Sequence, residues 1–206
     1  MRIIAIDGPA ASGKGTLAKR LAAHFGYDHL DSGALYRAVA SKSLRTGMTP
    51  EDAAKSFAIA DVSAPDLRSE KVAQHASVVA AIPAVRAALL DFQRDFARNP
   101  PGGKGAVIDG RDIGTVVCPW PETFKFFVTA SLEARARRRY DELLAKGESP
   151  IHAAVLAEMA ERDRRDAQRA TAPLKPAPDA VLLDTSDMTA EDAFQAALAA
   201  LAAKTR

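Results

Sequence analysis

A glycine-rich loop near the start of the chain constrains its fold more than any other feature. The loop has the sequence GPAASGKGT and spans Gly8 to Thr16. It follows a short apolar run, Arg2 to Ile6, that is typical of a buried strand, and it leads into a stretch with helical periodicity, Lys14 to Phe25. A strand, a glycine loop and a helix in this order bring backbone N–H groups and the positive end of a helix dipole together, which is how proteins bind phosphate.

The side chains of this loop favour a nucleoside triphosphate as the ligand. Gly8 and Gly13 let the backbone bend so that N–H groups point inward, and Lys14 can reach the β and γ phosphates. In the usual pattern Ser or Thr follows the lysine directly, whereas here Gly15 comes between them. Thr16 is therefore the candidate Mg²⁺ ligand, either directly or through water. The same loop serves kinases, GTPase switches and motors, so it leaves the reaction open. The alternative is a glycine turn that only joins a strand to a helix.

Composition bounds the class of protein. The chain has 206 residues with 28 basic and 26 acidic side chains, which suits one domain and argues against binding nucleic acid through bulk charge. No run approaches the roughly 18 apolar residues of a membrane span, and Met1 leads straight into the first strand without a basic leader, so we expect a cytoplasmic location. Cys118 is the single cysteine, which excludes an internal disulfide and a multi-cysteine metal cluster. The four histidines show no metal-ligand spacing, and we expect them mostly at the surface.

Short apolar strands alternate with helices along the chain, a pattern that predicts an α/β domain with a parallel sheet. The predicted strands are Arg2–Ile6, Tyr27–Leu30, Ala106–Ile108, Thr123–Thr129 and Ala180–Leu183. The predicted helices are Lys14–Phe25, Ala34–Arg45, Pro50–Ala60, Glu70–Ala80, Ala84–Phe96, about Pro150–Arg169, and Thr189–Lys204. A further helix is predicted to be capped by Ser131, and its apolar face consists of Leu132, Ala136, Tyr140, Leu143 and Leu144. Residues 61–69 read as a connection.

Two further motifs follow predicted strands, where ligands bind in doubly wound sheets. In the first, Ser32 can cap a helix and Arg37, one turn later, can point at an anion; the alternative is a simple cap and a solvated charge. In the second, Asp109-Gly110-Arg111-Asp112, a carboxylate can orient Mg²⁺ waters or accept from a substrate amino group, and an arginine can neutralise a phosphate. The alternative there is a tight turn paired to surface groups.

Arginine outnumbers lysine 18 to 10, and eight of the 18 lie between residues 135 and 169. On a helix Arg162, Asp166 and Arg169 share one face. Arg135, Arg138 and Arg139 share a face upstream of them. Such groups can cover a polyphosphate, because phosphoryl transfer needs positive charge around the moving group. The alternative is a solvated helix with surface salt bridges.

Taken together, GPAASGKGT, LDSGALYR, DGRDIGTVV and ERDRRDAQRATAPL, in this order, resemble the bacterial cytidylate kinases over nearly the whole chain. The resemblance implies a three-layer P-loop NTPase fold with a central parallel five-stranded sheet, and transfer of the γ-phosphoryl of ATP to CMP or dCMP with Mg²⁺. Members of this family often carry an inserted lobe with a small antiparallel sheet. Residues 61–69 leave no room for three strands, so we expect a reduced, helical acceptor-binding lobe and a helical lid.

The resemblance also assigns roles to residues. It implies ATP binding by Gly8, Pro9, Ala10, Ala11, Ser12, Gly13, Lys14, Gly15, Thr16 and Arg135, with Lys14, Arg138 and Arg139 as catalytic residues and Thr16 as the Mg²⁺ ligand. It implies CMP binding by Ser32, Arg37, Ser77, Arg86, Arg111, Asp112, Arg162, Asp166 and Arg169. Ser77, Arg86 and Asp112 would read cytosine, whose exocyclic amino group suits a carboxylate acceptor.

We therefore expect residues 1–206 to form a single kinase domain. Its core spans about 1–40, 84–135 and 170–206, its acceptor-binding lobe about 41–83, and its lid about 136–169. The expected partners are ATP and CMP or dCMP, with no nucleic acid and no membrane, and the expected state is a monomer. The alternatives are a kinase with another small acceptor, such as AMP, UMP or shikimate, and an NTP-dependent switch or RNA-binding protein.

Overall fold

The computed structural model describes residues 2–67 and 69–204, which form a five-stranded parallel sheet with helices on both faces. The strands are β1 (Ile3–Asp7), β2 (Asp28–Asp31), β3 (Ala106–Gly110), β4 (Phe124–Thr129) and β5 (Val181–Asp184), in the spatial order β2-β3-β1-β4-β5. All five residues of β1 are buried, because β1 pairs with β3 on one side and β4 on the other. The carboxyl ends of β1, β2 and β3 consequently lie side by side.

The helices are α1 (Lys14–Phe25), α2 (Ser32–Thr46), α3 (Pro50–Lys55), α4 (Glu70–Val79), α5 (Pro83–Arg98), α6 (Leu132–Ala145), α7 (His152–Ala167) and α8 (Ala190–Lys204). A 3₁₀ turn (Ile59–Ser63) follows α3, and a π-helical turn (Ile113–Val117) follows β3. Helix α1 begins directly after Gly13, which has a φ of 84°. Helix α2 begins after Asp31, whose carboxylate accepts the Ala34 N–H at 3.1 Å. Both helices therefore start at the carboxyl edge of the sheet.

Alternate residues of β1 pack into two hydrophobic clusters on opposite faces of the sheet. Ile3 and Ala5 join the cluster that contains buried residues of α2, α4 and α5, while Ile4 and Ile6 join the cluster that contains those of α1 and α8. A third, smaller cluster joins α6 and α7 to the glycine loop. Helices α6 and α7 thus pack on the loop that precedes α1.

The predicted fold class is confirmed, and the regular elements described between residues 41 and 83 are helices and helical turns, as expected. Three local predictions were wrong. The helix predicted over Pro50–Ala60 ends at Lys55, because the Ser56 hydroxyl donates to the Asp52 carbonyl at 2.8 Å and closes its last turn. Helix α7 ends at Ala167, and the Leu174 N–H donates back to the Asp166 carbonyl, so Arg169 lies beyond the helix. Leu144, predicted on the apolar face of α6, is 46% exposed.

In the described ranges no single helix is both long and apolar enough to cross a membrane, although α4 and α5, bent by 97° to each other, meet that test of length and composition as a pair.

Candidate active site

The glycine loop, residues 8–13, occupies the carboxyl end of β1 and surrounds the N-terminus of α1. Lys14 is half-buried, and its ammonium donates to the Pro9 carbonyl at 3.3 Å. Desolvation, and then the charge of Arg111, lowers the pKa of Lys14 to about 7. A cation held in a desolvated place beside another cation is arranged to receive an anion.

Two arginines of α6 hold the loop from the other side. Arg135 donates to the Ala10 carbonyl at 3.4 Å and forms a two-pronged ion pair with Asp163 of α7. Arg138 donates to the Ala11 carbonyl at 3.4 Å and to the hydroxyl of the buried Thr185 at 3.2 Å. These two guanidinium groups of α6 therefore hold the backbone of the glycine loop.

Thr185 connects the loop to the sheet. Its hydroxyl lies 2.9 Å from the Ser12 carbonyl oxygen and 3.1 Å from that of Thr129 at the end of β4. Beside it is a mainly apolar cavity of about 190 Å³ between the loop and the start of α8, with Thr16 and Arg138 on its wall. A cavity with this lining, next to a phosphate loop, suits the flat face of a nucleobase.

The end of β2 supplies a second group of polar side chains. The Ser32 hydroxyl donates to the Asp109 carbonyl at 2.8 Å and ties the start of α2 to β3. Arg37 forms an ion pair with Asp31 at 2.6 Å. Burial alone would raise the pKa of Asp31, but the Arg37 guanidinium holds it below its usual range.

The end of β3 meets the end of α7. Arg111 pairs with Asp166 at 2.8 Å, and Arg169 pairs with the other oxygen of the same carboxylate. Burial would raise the pKa of Asp166, but these two guanidinium groups hold it below its usual range. One buried carboxylate thus fixes two arginines that sequence reasoning assigned to the acceptor.

Asp112 and Arg86 form a buried ion pair, with each residue less than a tenth exposed. Arg86 also donates to the Ala80 carbonyl at 3.1 Å, and its guanidinium lies 5.6 Å from the centre of the Tyr36 ring. Ser77, buried one turn before Ala80 on α4, donates to the Gln74 carbonyl at 2.9 Å. These groups form the polar wall between α2, α4 and the loop after β3.

Arg162 differs from the other arginines in this region. Within residues 2–67 and 69–204 no hydrogen bond or ion pair of its guanidinium is found, and its Nε is buried. Desolvation lowers the pKa of Arg162 to about 10, and the charges of Arg111, Arg37 and Arg139 contribute in the same direction. The Asp166 carboxylate offsets these charges only in part, and a desolvated guanidinium with no hydrogen bond or ion pair among the described residues calls for an anionic ligand.

Arg139 connects α6 to α4. It pairs with Glu70 at the start of α4 and with Glu142, one turn along α6, at 2.9 Å. The Arg139–Glu70 pair therefore joins two helices through residues that lie 69 positions apart in the sequence.

The comparisons with known proteins agree with this geometry. Residues 4–203 match the family model described as "Cytidylate kinase". The chain is 60% identical to the cytidylate kinase of Paramagnetospirillum magneticum, covering 98% of each chain, and 59% identical to that of Methylocella silvestris, covering 95% of this chain and 92% of the relative. The chain belongs to the cytidylate kinase family.

Solved structures agree on the fold alone. An uncharacterised protein from Eubacterium ventriosum superposes with a TM-score of 0.54 at 17% identity, covering 98% of both chains. A sugar kinase from a Janibacter species superposes with a TM-score of 0.53 at 15% identity, covering 98% of this chain and 94% of the other. The cytidylate kinase chain thus shares its fold with both of these proteins.

The structure brings the cytidylate kinase motifs together at one edge of the sheet, as the sequence predicted. The predicted acceptor residues Arg37, Arg111, Arg162, Asp166 and Arg169 all lie near one another, and Arg86 is paired with Asp112. The roles assigned to Arg135, Arg138 and Arg139 stay predictions. Their guanidinium groups contact protein atoms here.

Sequence reasoning missed several partners within this site. Asp109, the fourth residue of β3, was a candidate from its motif, but its 2.8 Å contact with His29, one of the histidines expected at the surface, was not foreseen. Asp31, Asp163, Glu70 and Thr185 were also missed. The position of an acidic residue at a strand end was a usable signal for Asp31 and Asp109. Nothing in the sequence pairs Glu70 with a lid arginine 69 residues away.

Proposed function

We propose that this chain transfers the γ-phosphoryl group of ATP to CMP or dCMP, giving ADP and CDP or dCDP, as a step in pyrimidine nucleotide metabolism. One feature of the structure gives the proposal its strongest support. Arg162 has no hydrogen bond or ion pair among the described residues and lies close enough to Arg37, Arg111, Arg139 and the loop residue Lys14 for their charges to act on it, and such a concentration of positive charge suits two phosphate-bearing substrates. Membership of the cytidylate kinase family supports the choice of acceptor.

The acceptor phosphate binds among Arg37, Arg111 and Arg162, with Ser32 next to them. Arg111 is fixed by Asp166, so its guanidinium is held in place before the phosphate arrives. Fixed guanidinium groups contribute more than mobile ones, because less side-chain entropy is lost on binding. Asp166 and Arg169 bind the sugar of the acceptor nucleotide.

The acceptor base binds against Ser77, Arg86 and Asp112. One oxygen of the Asp112 carboxylate pairs with Arg86. The carboxylate accepts the exocyclic amino group of cytosine, whereas uracil presents a carbonyl at that position. A buried carboxylate facing a carbonyl oxygen is left without a donor, which disfavours UMP.

Catalysis follows from position and charge. The phosphate of CMP is already an anionic nucleophile, so no side chain has to remove a proton. Lys14 holds the transferred phosphoryl group, and Arg138 and Arg139 face it from the lid. Arg139 exchanges Glu70 and Glu142 for phosphate oxygens when both substrates are bound. The packed lid helices exclude water, which would otherwise hydrolyse ATP.

The residues at the loop fit Mg²⁺. The Thr16 hydroxyl is exposed at the first turn of α1, and the Asp109 carboxylate faces the same turn, 3.7 Å from where a Cβ atom of residue 15 would lie. Both offer oxygen, which Mg²⁺ prefers, and in the described ranges no cluster of three acidic, histidine or cysteine side chains competes as a metal site. When bound, Mg²⁺ neutralises charge on the phosphates. Thr16 would hold the ion directly or through water, and Asp109 would orient its water ligands.

A panel of acceptors tests the proposal. CMP, dCMP, UMP, AMP and shikimate are each supplied with ATP and Mg²⁺, and ADP formation is measured. We expect CMP and dCMP to give the highest kcat/KM. Equal turnover of UMP or AMP would contradict the acceptor assignment, and steep salt-dependent RNA binding without phosphorylation would favour an RNA-binding protein.

The proposal includes a cytoplasmic monomer that binds neither nucleic acid nor membrane. The near-neutral net charge of +2 argues against binding nucleic acid through bulk charge. Sedimentation of the enzyme with and without CMP is expected to give the mass of one chain, and a dimer would contradict this part of the proposal.

Replacement of Asp112 by Asn tests the recognition of the base. Asp112→Asn replaces one carboxylate oxygen by an amide nitrogen, which can donate to uracil. We expect the ratio of kcat/KM for CMP to that for UMP to fall by about tenfold or more, the value of one hydrogen bond to a charged group.

Asp61→Asn is the matched control, because Asp61 also forms an ion pair, with Lys42 at 3.1 Å, but does so outside the wall of the base site. The ratio in this control is expected to equal that of the wild type. An unchanged ratio in Asp112→Asn would move base recognition to another residue.

A further inference from the structure

Asp7, the last residue of β1, is a buried carboxylate that the phosphate loop does not use. It is 3% exposed, and each of its oxygens accepts one backbone N–H. The Ile113 N–H donates to one oxygen and the Gly114 N–H to the other, both at 2.7 Å. Ile113 and Gly114 lie 106 and 107 residues after Asp7 in the sequence, and they come directly after Asp112.

These N–H groups are the first two of the π-helical turn Ile113–Val117. The first N–H groups of a helical turn have no acceptor within it, and the residue before the turn usually supplies one from its side chain. Asp112 occupies that position, and its backbone carbonyl accepts the Val116 N–H at 2.8 Å. Its carboxylate does not cap the turn, because it is paired with Arg86.

Asp7 therefore performs the capping that Asp112 would otherwise perform. We propose that Asp7 is a positioning residue for acceptor recognition, which caps the turn from β1 so that the Asp112 carboxylate stays directed at the base. This inference rests on the proposed function, in which Asp112 reads cytosine. Because Asp7 is followed directly by the phosphate loop, it also ties the donor loop to the acceptor loop.

The electrostatics support this role. Burial raises the pKa of Asp7 to about 7, although the two N–H donors oppose the shift. The folded chain therefore retains a carboxylate whose ionised form is unfavourable where it lies. The groups that face it are Asp112 and Arg111 on the loop, Cys118 at the end of the turn, and Lys125 of β4, whose aliphatic part packs at Gly114. Lys125 directs its ammonium to Asp179, at 3.0 Å.

The preference for CMP over UMP is expected to depend on the protonation of Asp7. Ionised Asp7 accepts both N–H groups, whereas the protonated acid has lost one of its acceptor oxygens. Preference for CMP over UMP should therefore fall as pH decreases through about 7. The phosphates of both acceptors titrate near pH 6 to the same extent, so they cancel in this ratio.

The variant Asp7→Asn keeps the side-chain volume but can accept only one of the two N–H groups. We expect the KM for CMP to rise about tenfold and the CMP-to-UMP ratio to fall, with the KM for ATP within about a factor of two of the wild type. The dependence of the ratio on pH near 7 should disappear. The control is Leu201→Ala, which removes packing from the cluster on the α8 face of the sheet. It should lower the melting temperature and leave the ratio intact.

A second measurement needs no variant. The amide signals of Ile113 and Gly114 in the unliganded wild type are followed by NMR from about pH 5.5 to about pH 8.5, and we expect both to shift with a common midpoint near 7. Amides that do not titrate together, or an unchanged CMP-to-UMP ratio in Asp7→Asn, would overturn the inference. If the wild type does not phosphorylate CMP, the proposed function fails instead, and the amide titration still tests the cap.

Discussion

Replacement of Lys14 by alanine is expected to lower kcat by about 10²–10³-fold or more, with the fold intact. Lys14 lies at the start of α1 in the phosphate loop, where its ammonium donates to the Pro9 carbonyl and can reach the transferred phosphoryl. Alanine leaves the loop backbone unchanged but removes this charge. The measurement is steady-state ADP formation with CMP, together with the shift in melting temperature that ATP produces, which should largely disappear.

The pH dependence of stability gives an independent check on Lys14. Its pKa is about 7 in the folded chain and 10.5 as a free side chain. The unfolded chain therefore binds the extra proton between these values, so this group makes stability rise with pH across the window. The slope should be smaller in Lys14→Ala.

Lys19→Ala, an exposed position on the same helix, is the matched control and should leave activity and slope unchanged. Undiminished turnover in Lys14→Ala would contradict the assignment of the phosphate loop.

The second large effect is expected at Gly8. A Cβ atom at this position would overlap the carbonyl oxygen of Val128 in β4, which is backbone and cannot rotate away. Gly8→Ala must therefore push the loop away from the sheet. We expect a loss of about 3 kcal/mol or more of unfolding free energy and loss of ATP binding, measured by denaturant unfolding and by calorimetry.

Gly47→Ala separates this clash from the cost of backbone conformation. Gly47 has a φ of 72° and open space around it, so alanine there should cost only about 1 kcal/mol and leave ATP binding intact. If Gly8→Ala were no more harmful than this control, the close approach of loop and strand would not be required.

The arginines of the site illustrate what sequence reasoning could and could not reach. Their concentration between residues 135 and 169 was visible, and so was the chemistry that such groups serve. The ion pairs that these arginines form were not visible in the sequence. Arg111 and Asp166 are 55 residues apart, and Arg86 and Asp112 are 26 apart. Only in the folded chain does it become clear that Asp166 fixes two arginines while Arg162 has no partner among the described residues.

Element ends were predicted less well than the elements themselves. The strand, loop and helix from Ile3 to Phe25 follow from periodicity and glycine chemistry within a few residues. The end of α7 depends instead on the Leu174 N–H, which returns to Asp166, and the π-helical turn depends on Asp7. The end of α7 and the π-helical turn are therefore both decided by groups that belong to other segments of the chain.

The sequence by itself determined the phosphate loop, the α/β class, the three further motifs and the family to which they belong, because each of these is written in residues close together in the chain. The tertiary structure alone decided which of those residues act together. The strand order places β1 between β3 and β4, so Asp7 reaches the turn after β3, and Glu70 meets a lid arginine. The physical reason is that a charge or hydrogen bond acts over a few ångströms of space, and sequence distance does not measure that space.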